Sequence, residues 1–162
     1  MWVRASVFFP IANLGEVLLL YRTHPDQVTI KHDFKQKQVI DSVRKNMLKQ
    51  LNLFPDNEEF KIHKSLSDYE QFNAKEMILK TKAWLEKLNE ANKTVNLFGV
   101  KGFSEYIARR WFQICRDASH FGPWSLYTYY SSGLSRLDHI DFWKQTKFAI
   151  RCIIKFKSSH VY

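Results

Sequence analysis

The sequence predicts an α+β fold, a small antiparallel sheet covered on one face by about four helices, and two changes of period carry that expectation. At the ends of the chain apolar residues alternate with polar ones, in Val3-Arg4-Ala5-Ser6-Val7-Phe8-Phe9, in Val28-Thr29-Ile30-Lys31-His32 and from Phe148 to Phe156. A period of two belongs to a half-buried strand. Between those ends the apolar spacing lengthens to the 3.6-residue period of a helix. With 45% hydrophobic residues, four prolines and five glycines in 162 residues, there is little linker material, and residues 1–162 read as a single globular domain.

Taken in order, three strands are expected at 2–9, 16–22 and 27–32, separated by turns at Pro10 to Gly15 and at His24-Pro25-Asp26. The first 21 residues are apolar, but Pro10, Asn13, Gly15 and Glu16 interrupt the ~20-residue run that a spanning helix needs, so no transmembrane segment is expected. Residues 34–53 read as the first helix: Ile40, Val43, Met47 and Leu51 share a face, Asp33 is placed to cap it, and Pro55 lies just past its end. Residues 55–65 read as a loop.

The second helix is expected at 74–92, with Ala74, Met77, Ile78, Thr81, Leu85, Leu88 and Ala91 as its inner stripe and Asn73 as N-cap. A third runs over 104–118, capped by Ser104, and Gly122-Pro123 breaks the chain after it. Trp124 to Tyr130 reads as a core strand or a packed turn. Ser135 and Asp138 open a fourth helix at 135–145, and a last strand at 147–157 buries Phe148, Ile150, Cys152, Ile154 and Phe156 opposite Arg151, Lys155 and Lys157. A continuous helix over 135–157 is the alternative that this pattern leaves open.

A net charge of +9 and a pI near 9.6 favour an anionic partner, nucleic acid or an acidic membrane surface. The charge is uneven: residues 1–54 carry +4, residues 55–98 carry −1 and residues 99–162 carry +6, which together make the +9. Any anion-binding surface is therefore expected from the two ends of the chain. Cys115 and Cys152 sit in apolar patterns without a Cys-x-x-Cys pair, which fits buried free thiols in a reducing, intracellular compartment.

The most specific stretch runs from Thr94 to Ala118, where the turn glycines Gly99 and Gly102 precede a helix with Ile107, Trp111, Ile114, Cys115 and Ala118 inside. Arg109, Phe112, Gln113 and Arg116 fall on its other face. The run Asn96-Leu97-Phe98-Gly99-Val100-Lys101-Gly102-Phe103, with Ala108 beyond it, resembles the hairpin of helix-hairpin-helix DNA-binding motifs, over about 17 residues. In that family a glycine-rich turn and the following helix N-terminus meet phosphates, so the resemblance implies backbone phosphate contacts at Gly99 and Gly102.

The functional expectation is thus a basic module that binds DNA or RNA through its phosphate backbone without sequence specificity. Its contacts would be Lys101, Arg109 and Arg116, with Phe112 as a stacking ring between the arginines and Lys35, Lys45 and Lys49 as a second patch. The alternative is a non-enzymatic structural or adaptor subunit that uses its aromatic residues and basic ends for protein contacts. No P-loop, nucleophile elbow or dinucleotide fingerprint occurs, and the histidine spacings match neither a zinc site nor any other cofactor site, so no catalytic residue, metal or cofactor is implied.

Overall fold

A computed structural model describes residues 33–137 and 139–158, with Phe9, Ala12, residues 15–18 and Leu20 ahead of them. Among the described residues there are six α-helices and no strand, so the expected α+β sheet is corrected to an all-helical fold. The strands expected at 2–9, 16–22 and 27–32 fall almost wholly outside the described residues; Phe9, residues 16–18 and Leu20, the described positions among them, carry no strand. The chain divides at Met47/Leu48 into two compact units.

In the first unit the described secondary structure is most of α1, Asp33–Gln50, which leaves Val39, Ile40 and Val43 exposed. The end of α1 belongs to the second unit and closes without glycine. Asn52 takes a left-handed conformation (φ 56°), its N–H donates to Lys49 O at 2.9 Å, and Leu53 N–H donates to Leu48 O at 2.9 Å. This is the Schellman closure, and its apolar contact is made by buried Leu48 and Leu53.

Where a loop was expected, α2 spans Asn57–Ser67. Its start is a capping box: Glu59 N–H donates to Asp56 Oδ1 at 2.8 Å and Asp56 N–H donates to Glu59 Oε2 at 3.2 Å. It ends by the same closure as α1, with Tyr69 left-handed (φ 57°) and Glu70 N–H on Ser65 O at 2.9 Å. Ile62 and Leu66 are buried against α3, Lys75–Val95. Lys80 pairs with Glu58 at 2.6 Å and Lys87 with Glu59 at 2.6 Å across that seam. Such exposed pairs fix alignment more than stability. The expected Asn73 cap is absent: Ala74 occupies the N-cap position and makes no side-chain cap bond.

Helix α4, Val100–Asp117, packs against α3, against α5 at Pro123–Tyr130 and against α6 at Phe142–Ser158. It begins four residues earlier than Ser104, which is buried and donates to Asn89 Oδ1 of α3 at 2.8 Å instead of capping. After α4 a 3₁₀ turn at Ser119–Phe121 leads to Gly122, whose φ of 63° and ψ of −132° are open only to glycine, and Pro123 starts α5 at the position proline favours. Residues expected as a strand or turn, Trp124 to Tyr130, are therefore helical. Ser132 caps a second 3₁₀ turn at Gly133–Arg136, where the fourth helix was expected to begin.

The expected strand at 147–157 is overturned by α6. Asp141 caps it, accepting from Trp143 N–H at 2.9 Å and Lys144 N–H at 3.3 Å. Phe148 and Cys152, four residues apart, form its buried face, while Ile150, Ile153 and Ile154 are exposed. The Phe148 ring completes a cluster with Phe112 of α4 and Tyr129 of α5, all three pairs edge-to-face at 5.4–5.9 Å. Each such pair contributes about 0.5–1.5 kcal/mol beyond burial alone.

The helix and the strand predict different mutational patterns. Phe148→Ala is expected to cost about 3–5 kcal/mol, whereas Ile154→Ala, on the opposite face, is expected to stay within about 0.5 kcal/mol. A strand would make both substitutions comparably damaging, and denaturant melts of the two variants decide the matter.

Candidate functional site

The turn between α3 and α4 is held by asparagines. Asn96 ends α3 in the left-handed region (φ 53°), and its N–H donates to Asn92 O at 2.7 Å. The Asn92 side chain grips the turn at two points: its amide donates to Phe98 O and its carbonyl accepts from Phe98 N–H, both at 2.9 Å. Phe98 then stacks on Phe103, centroids 5.6 Å apart. Gly99 is the N-cap of α4 with φ −50°, Gly102 lies within its first turn, and a Cβ at either would meet nothing within 4 Å. Neither glycine makes the turn.

Within the second unit, Lys101, Arg109 and Arg116 are spread along α4. Lys101 is exposed at the start of α4. Arg109 and Arg116 lie seven residues apart, or about 10 Å along the helix, and each faces a carboxylate: Glu105 at 3.7 Å from Arg109 and Asp117 at 3.2 Å from Arg116. Phe112 is corrected most sharply. Expected as a stacking ring between the arginines, it is only 6% exposed and enclosed by Tyr129 and Phe148. Lys45 and Lys49 are exposed on α1, and the side chain of Lys35 lies outside the described residues.

Sequence reasoning missed Arg110. It is 6% exposed, donates to Leu66 O at 3.0 Å and to Gln113 Oε1 at 2.9 Å, and lies 4.4 Å above the centre of the Tyr69 ring. The planar guanidinium bridges the end of α2 to α4, and the strained φ of Tyr69 supplies the ring it stacks on. The signal was present, since residue 110 falls on the same arc as Ile107, Trp111 and Ile114.

The two cysteines are buried and free. Burial raises the Cys115 thiol far above its ordinary range, with Cys152 adding to the rise; burial also pushes the Cys152 thiol up to about 11, against the pull of Arg151. Among the described residues no three His, Cys, Asp or Glu side chains gather as a metal site.

One outward feature was not anticipated as a site. Phe142 and Trp143 are 74% and 68% exposed, and Ile150, Ile153 and Ile154 are at least half exposed. At 100° per residue these five side chains occupy about 120° of the helix, on the side away from Phe148 and Cys152. Lys144, Lys147 and Arg151 are exposed along one edge of that arc. Arg151 Nε donates to Ser119 Oγ at 3.1 Å, which ties α6 to the 3₁₀ turn beneath it. On α5, Tyr127 and Tyr130 are exposed, and Tyr130 donates to Gln145 Oε1 of α6 at 3.0 Å. The missed signal was Phe142-Trp143 beside a cation every three or four residues, which the strand assignment concealed.

Compared with known proteins, the chain matches no family model, no curated protein and no solved structure. Among the described residues no helix is long and apolar enough to cross a membrane.

Two measurements check this geometry. Gly102→Ala is expected to be neutral or to stabilise by about 0.5–1 kcal/mol, since alanine is the better helix residue and its Cβ meets nothing; Asn92→Ala, which leaves the partly buried carbonyl and N–H of Phe98 without that partner, is expected to cost about 1–3 kcal/mol. A phosphate cradle at Gly99 and Gly102 would reverse that order in a binding assay. The second concerns the thiols: with Cys152 near 11, only about one part in a thousand is thiolate at pH 8. Iodoacetamide is expected to label neither cysteine in the native protein and both in guanidinium, as read by mass spectrometry.

Proposed function

We propose that the protein is a structural or adaptor subunit that acts by docking, not by catalysis, and that it docks through the outward face of α6 with the tyrosines of α5 beside it. The observation that carries this reading is the set of five large apolar side chains, Phe142, Trp143, Ile150, Ile153 and Ile154, left in solvent on one helix face. Burying each is worth roughly 1.5–3 kcal/mol, and contiguous apolar surface of this kind marks interaction sites. A reducing, intracellular setting accords with two buried free thiols.

Nucleic-acid binding through α4 draws no support from the geometry. Phe112 is packed inside, Arg109 and Arg116 face carboxylates, and the two glycines are dispensable to the turn. The adaptor reading uses the surplus charge differently, as the rim of an apolar surface.

The test is the double substitution Ile150→Asp/Ile153→Asp, whose side chains point away from the core. In gel filtration of a cell extract the parent is expected to run well above its 19.3 kDa monomer or to sediment with particulate material, and the variant to run as a monomer with unchanged circular dichroism and melting midpoint. A parent that runs as a monomer, or a variant that distributes as the parent does, overturns the reading.

A further inference from the structure

We propose that the surface met by α6 is the interface of an anionic lipid bilayer, with the helix lying in the membrane plane. This rests on the docking reading above and names its partner. Helix α6 carries two opposed faces. Phe148 and Cys152 are buried and Arg151 is bonded to Ser119, so α6 is held through its middle against the rest of the second unit. A 17-residue helix held in this way is about 25 Å long. It can lie on a bilayer and sink its outer arc by about 5–10 Å, the ordinary depth of an interfacial helix.

The composition of that outer arc favours lipid over protein. Isoleucines fill its middle and Phe142 and Trp143 crowd one end, while Tyr127 and Tyr130 are exposed on α5, Tyr130 reaching α6 at Gln145. Tryptophan and tyrosine, with an apolar body and a polar tip, settle at the headgroup boundary. Thr146, a polar residue within the arc, donates its hydroxyl to Phe142 O at 3.0 Å and so adds no unsatisfied donor to the buried side.

The edge is cationic and of the kind lipids prefer. Lys144 and Lys147 stand beside Arg151, and no Asp or Glu occurs in the sequence from Phe142 to Ser158. Lysine is depleted at protein–protein interfaces, whereas lysines flanking an apolar face are the usual complement of anionic headgroups. The +6 surplus of residues 99–162 lies in the same part of the chain.

The experiment uses the full chain with vesicles of phosphatidylcholine alone, or with about 30 mol% phosphatidylserine, in a sedimentation assay. The parent is expected to bind the anionic vesicles strongly and the neutral ones weakly. Its tryptophan emission is expected to shift to the blue, a shift lost in Trp143→Phe. Lys144→Gln/Lys147→Gln is expected to weaken binding by about fivefold for each charge removed. Ile150→Asp/Ile153→Asp is expected to abolish it with the fold intact by circular dichroism. Equal binding to both vesicles, or a lysine variant that binds like the parent, overturns the proposal. If the parent ignores anionic vesicles while the isoleucine variant is still released from its cellular assembly, docking stands and its partner is a protein. If the variant is not released either, both readings fall.

Discussion

Trp111 has no solvent exposure, and the burial of the helix that carries it is the constraint on which the second unit depends. An isolated surface helix hides about a third of its circumference. In α4 the buried residues Ser104, Ile107, Ala108, Arg110, Trp111, Phe112, Ile114 and Cys115 span an arc of about 200°, just over half of it, because α3, α5 and α6 each take a side. Phe112 then becomes the junction where α4, α5 and α6 meet, through its edge-to-face contacts with Tyr129 and Phe148. Some polar groups on α4 find partners inside, Ser104 at Asn89 and the Arg110 terminal nitrogens at Leu66 O and Gln113, while Trp111 Nε1 and Arg110 Nε are buried without one.

Helices packed this closely need short, well-closed connections, and three of them end on left-handed residues that are not glycine. Asn52, Asn96 and Tyr69 hold φ values of 53–57°. For asparagine the conformation is inexpensive; for tyrosine it costs of order 1–3 kcal/mol and persists where surroundings hold it. At Tyr69 the surroundings are the stacked Arg110 guanidinium and the helix-closing bond from Glu70 to Ser65. Gly122 is the connection where no other residue would serve. The asparagine closures matter for function too, because the turn that resembles a DNA-binding hairpin derives its shape from Asn92 and Asn96.

Helix α6 is amphipathic twice over. One face completes the core through Phe148 and Cys152; the opposite face presents Trp143 and three isoleucines to solvent beside Lys147 and Arg151. A core helix with a polar outer face would be an ordinary structural element. The outward apolar arc lies outside the packed core, and contiguous apolar surface of this kind is what interaction sites present.

What the sequence determined by itself was the set of elements with long, single-sided periodicity. The apolar stripes of 34–53, 74–92 and 104–118 locate α1, α3 and α4 to within a few residues, Gly122-Pro123 marks the break after them, and the patterns around Cys115 and Cys152 place both thiols inside. Helix α2 was also written there, in the Asp56-Asn57-Glu58-Glu59 capping box, but with only Ile62 and Leu66 buried its stripe is too short to stand out. Only the tertiary structure decided α6 and the site. A helix apolar on two opposite faces places apolar residues at 148, 150, 152, 154 and 156, which is also the period of a strand, and no local pattern separates the two. Phe112 could be assigned to the inside only once α5 and α6 were in place, since how much of α4 is buried depends on how many neighbours surround it. The same holds for Arg110, Asn92 and Ser104, polar residues whose partners lie on other helices or across a turn. Which face of a helix meets water is settled by packing between elements distant in the chain, and the candidate site is the apolar face that packing left outside.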